Sequence, residues 1–267
     1  MPDRIHFLSG LPRSGSTLLG SLLAQNPAVH VTPTSPLAML LVNAAKGMPL
    51  IAQYTCDHKR ISERIYDAIV GAVYEDIQEP IVFDKNRFWP GSVEELRRLS
   101  PQPKIVATVR PTAEVVASYI TLCEQNPANN FIDQHIRRDG QEINHTNRAD
   151  LIWNCYLKEH YDVLVGGLTT HREHILLVPY DELVRFPHET LNEIHTHCEL
   201  PDWHYDYSRI ADETREKDAG WGMPGLHSLR PTLGKVSVNP RCYLAEDALE
   251  FFTNLDERLL WHEPSLH

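Results

Sequence analysis

Short apolar runs alternate along the chain with longer stretches in which apolar residues recur every three or four positions. Residues 5–9 form the first run, short, apolar and followed by Gly10, as suits a buried parallel strand feeding a turn. Leu18, Leu19, Leu22 and Leu23 then recur at helical spacing, so a helix opens after the turn and ends near Gln25, Asn26 and Pro27. Residues 29–31 give a second short strand. Ser35 and Pro36 make a helix start, with Ser as N-cap, Pro at the first helical position, and Leu37, Leu40 and Leu41 on one face. The clearest amphipathic helix carries Ile61, Ile65, Ala68, Ile69, Ala72, Val73 and Ile77.

The alternation continues. Residues 81–83 form a strand that ends in the polar run Asp84-Lys85-Asn86-Arg87, and residues 104–109 a stronger strand that ends at Arg110-Pro111. Helices are expected over 112–123 and over 150–164, a strand over 175–178, and a closing helix over 245–260. Strands separated by helices, each strand short and apolar throughout, predict an α/β fold with a mainly parallel central sheet covered on both faces. Residues 219–240 are rich in Gly and Pro with Arg230 and Lys235 interspersed, and so read as one long loop. Long structured loops in compact domains are usually functional.

Composition narrows the partners. The 267 residues suffice for one sizeable core and predict one domain over 1–267, with 219–240 as a flexible loop able to cover a nucleotide. A formal charge of −11 disfavours general binding to nucleic acid or to an anionic membrane, although a local basic pocket remains compatible with it. Met1 leads directly into the first strand without a basic leader, and no apolar run approaches the roughly 18 residues of a membrane span, so a cytoplasmic setting is expected. The five cysteines are odd in number and form no C-x-x-C pair, so they suggest neither a disulfide framework nor a zinc site.

The chemistry concentrates in Gly10-Leu11-Pro12-Arg13-Ser14-Gly15-Ser16-Thr17, between the first strand and the first helix. Glycines at 10 and 15 allow a tight turn that brings backbone N–H groups onto an anion, and the following helix adds its positive dipole end. The spacing is that of the phosphate-binding pattern G-x-x-x-x-G-K-S/T, but Ser16 stands in place of the Lys and the nearest cation is Arg13 inside the loop. A nucleotide kinase or NTPase would lack its main cation here, even if Asp84 supplied the strand-end carboxylate that such enzymes use to hold Mg²⁺. A second anion site is suggested where Arg110 ends a strand and Ser118 follows eight positions on, in the next helix.

These residues resemble the sulfotransferases. Residues 11–17 are similar to the 5′-phosphosulfate loop of that family, and Arg110 and Ser118 to its 3′-phosphate Arg and Ser. Asp84-Lys85-Asn86 is similar to its N-K-D-P or D-K-T-P element, and Val178-Pro179-Tyr180-Asp181-Glu182-Leu183 to its Y-E-D-L element. The loop is closest in pattern to the tyrosylprotein and bacterial branch. The resemblance implies a P-loop NTPase-like three-layer fold. It also implies transfer of a sulfuryl group from 3′-phosphoadenosine-5′-phosphosulfate (PAPS) to a hydroxyl or amine of a small-molecule, carbohydrate or peptide acceptor, with no metal. It places Arg13, Ser14, Gly15, Ser16 and Thr17 on the phosphosulfate, Arg110 and Ser118 on the 3′-phosphate, and Tyr180 on the nucleotide. Lys235 or Arg230 would close over the 3′-phosphate, while Arg13 and Lys85 would stabilise charge as the donor bond breaks.

The general base is a departure. Tyrosylprotein sulfotransferases carry a catalytic Glu twenty-one residues after the loop Arg, and that position here is Thr34. His30, Asp84, Glu124 and His227 are the candidates that remain. A catalytically silent nucleotide-binding module is the other alternative that the missing Glu keeps open.

Overall fold

The computed structural model describes residues 2–211 and 218–259. Five parallel strands form the central sheet: β1 (Arg4–Gly10), β2 (Val29–Thr34), β3 (Ile81–Lys85), β4 (Ile105–Val109) and β5 (Ile175–Pro179), in the order β2-β3-β1-β4-β5. The chain winds toward the β2 edge first and toward the β5 edge afterwards, so its direction reverses between β1 and β4. Ligands of open α/β sheets bind outside the carboxyl ends of the strands at such a reversal. The β1 loop and Arg110 both lie there.

Alternation within the buried strands sends side chains to two cores. Leu8, Phe83, Val106 and Val178 pack on one face with Leu19, Leu22 and Leu23 of α1 (Ser16–Leu23). Leu183 of α9 (Tyr180–Arg185) and Ile194 of α10 (Pro187–Cys198) complete that layer. Phe7, Val82, Ile105 and Ala107 point the other way. They meet Leu37 of α2 (Leu37–Tyr54), Tyr74 of α3 (His58–Tyr74), Val116 and Ile120 of α5 (Thr112–Gln125), and Leu164 of α8 (Lys158–Thr170). The predicted three-layer α/β architecture is the one observed.

The elements missed or misjudged have local causes. The helix expected over 150–164 is α7 (His145–Leu151), a π-helical segment at Ile152–Leu157 and then α8, an interruption that hydrophobic periodicity does not register. Helix α6 (Phe131–Arg138), too short for several apolar repeats, starts on an N-cap in which the Asn130 side chain accepts from the Asp133 N–H. Helix α2 begins at Leu37 rather than Pro36, and the Ser35 hydroxyl accepts from the Leu37 N–H at 3.1 Å, so Ser35 does cap the turn. The helix expected to reach Ile77 stops at Tyr74. The closing helix α11 is Glu246–Arg258; Leu260, its last expected position, lies outside the described residues.

Two contacts fix the β4 end. The Asp256 carboxylate of α11 accepts from the Thr112 N–H and the Thr112 hydroxyl, the latter at 2.6 Å, and so satisfies the start of α5 just after Arg110-Pro111. Between Asp218 and Cys242 the chain has only short 3₁₀ turns, as expected of a loop, and it lies across the carboxyl end of the sheet.

Candidate anion-binding site

The turn between β1 and α1 is held by backbone geometry that few residues tolerate. Gly10 has φ +126°, and a Cβ there would lie 2.1 Å from the Thr108 carbonyl oxygen of β4. Gly15 has φ +97°, and a Cβ there would lie 2.8 Å from the Tyr180 ring. Arg13 itself has φ +61°, an uncommon conformation for a non-glycine residue. The Ser14 hydroxyl goes inward: it is fully buried, 2.8 Å from the Thr108 carbonyl oxygen and 2.7 Å from the Thr108 hydroxyl. Ser14 was placed on the phosphosulfate by resemblance, but its hydroxyl pins the loop to β4 and is spent there.

Most of the other predicted residues converge on one cavity of about 410 Å³. Arg13, Gly15, Ser16 and Thr17 line it from the loop, Arg110 and Ser118 from β4 and α5, Tyr180 from α9, and His227 and Arg230 from the long loop. Arg13 Nε donates to the Ser118 hydroxyl at 3.3 Å, and Nη1 donates to the Leu226 carbonyl. Arg110 Nη2 donates to the Val236 carbonyl at 2.7 Å, Nε donates to Glu114 at 2.9 Å, and the guanidinium stacks 4.9 Å from the Tyr180 ring centroid. Tyr180 also accepts the Val236 N–H at 3.0 Å. Burial and the neighbouring Arg110 pull the Arg13 guanidinium below its ordinary pKa, opposed by Tyr119, Asp218 and Tyr180, so the loop arginine sits where an added anion would be strongly favoured.

Lys85 and His30 fall in a second cavity of about 270 Å³ that runs beside α1 and shares Ser16 and Thr17 with the first. Lys235 is on the rim, donating to Asp181 at 2.7 Å. Two base candidates are placed elsewhere. Asp84 is fully buried beneath the β3 end, where one carboxylate oxygen accepts from the Tyr74 hydroxyl at 2.8 Å and the other from the Trp89 indole N–H at 3.1 Å. Burial pushes its pKa up to about 6, against the pull of hydrogen bonds from Ser35, Tyr74 and Trp89. It anchors the β3 turn and faces neither cavity. Glu124 points outward to His145 at 2.8 Å.

Sequence reasoning missed three residues that the fold brings to the larger cavity. Arg87, two positions after Lys85, and Tyr119, next to Ser118, both line it. Asp218 approaches through His227, whose Nδ1 lies 2.6 Å from Asp218 Oδ1 and whose backbone N–H donates to Oδ2 at 2.9 Å. Arg87 was legible as part of a polar strand end; the other two carry no signal in their spacing. Among the described residues, no group of three or more His, Cys, Asp or Glu is arranged to hold a metal ion, and no helix is long and apolar enough to cross a membrane.

A family model described as the sulfotransferase family matches residues 6–205. No curated protein matches the chain. Among solved structures, the sulfotransferase domain from the curacin biosynthetic pathway is 16% identical, with 99% of each chain covered and a TM-score of 0.52. Sulfotransferase STF9 from Mycobacterium avium is 16% identical, covering 96% of this chain and 77% of its own, with a TM-score of 0.53. The sulfotransferase domain of the Synechococcus PCC 7002 olefin synthase is 18% identical, covering 98% and 96%, with a TM-score of 0.51. At these identities the likeness is one of fold.

Proposed function

The chain belongs to the sulfotransferase family, and from that premise we propose that it transfers the sulfuryl group of PAPS to a hydroxyl or amine by in-line displacement. The observation that carries the reading is one cavity with two arginines set at separate strand ends, Arg13 after β1 and Arg110 after β4. PAPS is a nucleotide with anionic groups at both its 5′ and 3′ positions. Two guanidinium groups supplied by different segments of the chain, with Ser118 near Arg13, offer such a ligand a cation for each of its anionic ends. A cradle open at Gly15, where any Cβ would meet Tyr180, fits close approach of backbone to an oxyanion.

In the proposed reaction the acceptor oxygen or nitrogen attacks sulfur, and the bond from sulfur to the bridging oxygen breaks with its electron pair. The 3′,5′-bisphosphate leaves with that pair. Charge grows on the bridging oxygen and spreads over the sulfonate oxygens, where preorganised donors supply the largest stabilisation. Arg13, together with the N–H groups at the start of α1, would do that work. Lys85 lines the second cavity, whose wall includes Ser16 and Thr17, and would act on the same group from that side. The acceptor would be a small molecule, a carbohydrate or a peptide, and no metal is required.

Two measurements test the reading. Calorimetric titration with adenosine 3′,5′-bisphosphate is expected to give tighter binding than ATP with Mg²⁺, and label from ³⁵S-PAPS is expected to pass to a member of an acceptor panel. Tighter binding of ATP with Mg²⁺ would return the chain to the kinase or NTPase alternative. Bisphosphate binding with no transfer to any acceptor would make it a silent nucleotide-binding module.

A further inference from the structure

We infer that Arg87 and Tyr119 form a further oxyanion subsite of the larger cavity, which holds the phosphosulfate end of the donor; the inference rests on the donor reading above. Both residues line that cavity, and neither is among those that the family resemblance placed on the nucleotide. Each brings a polar group that the fold leaves unused. The Tyr119 side chain is only 6% exposed, yet among the described residues its hydroxyl has no hydrogen-bond partner. A buried hydroxyl is ordinarily paired, because an unpaired one loses its hydration without return. Buried Tyr74 and Tyr161 follow that rule: Tyr74 donates to Asp84 at 2.8 Å, and Tyr161 to the Leu255 carbonyl at 2.7 Å. Tyr119 does not, and the space beside it is the cavity.

Arg87 adds the charge. It lies half-buried just past β3, and among the described residues no carboxylate or carbonyl accepts from its guanidinium. Carboxylates are not scarce, since the chain has 36 Asp and Glu against 25 Lys and Arg. Arg13 and Arg110 each donate to a backbone carbonyl of the long loop, and Arg110 is paired with Glu114 as well. Of these three arginines, Arg87 is the one left uncompensated. A guanidinium in a partly desolvated wall with no counter-charge favours an added anion, and its planar donors match the oxygens of a phosphate or sulfonate. Its backbone is fixed for that purpose. The Arg87 carbonyl accepts from the Ser9 hydroxyl at 3.3 Å, while the Asn86 side chain donates to the Ser35 carbonyl at 2.8 Å and accepts from the Phe88 N–H at 3.0 Å.

Electrostatics put the two groups at one end of the ligand. Burial raises the pKa of the Tyr119 phenol, and the cations that oppose the rise are Arg87 first and Arg13 second, so its oxygen lies within reach of both. Tyr119 is in turn the largest influence on Arg13 after burial. The protonated phenol has one O–H to give. Between two cations its oxygen is drawn toward the guanidinium groups and its proton turns away from them, toward a ligand oxygen. Arg13 is the cation assigned to the phosphosulfate, and Arg110, assigned to the 3′-phosphate, is not among the groups that act most on Tyr119. The subsite therefore serves the 5′ end of the donor.

Removing the hydroxyl alone separates a ligand contact from a structural one. Tyr119→Phe keeps the ring and its packing and loses only a group that the free protein leaves unpaired, so its urea midpoint should equal or exceed that of wild type. Its dissociation constant for PAPS, titrated calorimetrically without an acceptor, should rise by about tenfold or more, and that of Arg87→Gln by roughly tenfold to a hundredfold. Adenosine 3′-monophosphate, which has no 5′ anion, should bind both variants within about threefold of wild type. The assignment is overturned by a PAPS affinity within about threefold of wild type in either variant, or by equal losses for PAPS and adenosine 3′-monophosphate. A lowered urea midpoint in Tyr119→Phe also overturns it, since the hydroxyl would then be bonded within the fold. Wild-type protein that binds neither PAPS nor adenosine 3′,5′-bisphosphate overturns the donor reading itself, and this subsite with it.

Discussion

Arg110 is the residue on which the 3′ end of the proposed donor depends. It is 4% exposed, held at Nε by Glu114 and stacked on Tyr180, so its guanidinium is already oriented when Nη2 exchanges its carbonyl partner for a phosphate oxygen. Arg110→Ala is expected to weaken bisphosphate binding by roughly tenfold to a hundredfold, the worth of a charge-assisted hydrogen bond of about 1.5–3 kcal/mol. Titration calorimetry checks it, and wild-type affinity in the variant would remove Arg110 from the site. Ser14 gives the opposite expectation. Its buried hydroxyl serves Thr108, so Ser14→Ala should lower unfolding free energy by about 1–3 kcal/mol while leaving bisphosphate affinity nearly unchanged. Urea denaturation and titration of the same sample separate stability from binding. The motif showed that Ser14 belonged to the loop. The direction of its hydroxyl was not legible, because that is decided by β4, ninety-four positions away.

At the level of elements, the β1 turn and the β4 end are one unit. Gly10 lies against the Thr108 backbone so closely that any side chain forces β1 and β4 apart, and its φ of +126° adds strain for an L-residue. Gly10→Ala should therefore cost at least about 3 kcal/mol of stability by urea denaturation, well above a typical substitution. Strands β3 and β4 were legible because buried strands leave short, uninterrupted apolar runs, and β4, buried at every position, is the plainest of them. Helix α5 was also legible, since Arg110, Pro111 and Ser118 punctuate it. The π segment at Ile152–Leu157 was not, because a change of helical type leaves the apolar content of the segment intact. The Asp218–His227 contact was equally silent: it depends on how an irregular segment folds back, and no periodicity encodes that. Asp84 misled for a different reason. A polar run at a strand end reads as solvated, whereas Tyr74 and Trp89 reach over to enclose its first member.

For the whole molecule, two buried titratable groups oppose each other across the acidic range. Burial lowers the His6 pKa to about 4, with Arg4, His197 and Lys104 adding to the effect, and neither of its ring nitrogens has a hydrogen-bond partner. Its folded value lies below its unfolded one, so the stability it contributes is full above pH 6.5 and is lost as pH falls through about 4. Asp84 runs the other way. Its folded value near 6 lies above its unfolded one, so its contribution is full below pH 3.8 and is lost as pH rises through about 6. Each difference is on the order of 3 kcal/mol, and in wild type they partly cancel between pH 4 and 6. Asp84→Asn should expose the His6 term as a steeper loss of stability on acidification, and His6→Phe should flatten that loss. Unfolding free energies measured from pH 4 to 7 decide both signs; parallel curves for all three proteins would mean that neither group titrates on unfolding.

The loop that crosses the sheet's carboxyl end has a further consequence. Its Leu226 and Val236 carbonyls occupy Arg13 and Arg110, the two cations assigned to the ends of the nucleotide. The chain is thus its own competitor for the site. A nucleotide oxygen that takes Nη1 of Arg13 or Nη2 of Arg110 must first displace a backbone oxygen, and the measured dissociation constant then exceeds the intrinsic one by the reciprocal of the fraction of molecules with that oxygen withdrawn. The same oxygens return when product leaves, so the contacts that weaken binding of the donor also help expel the spent bisphosphate.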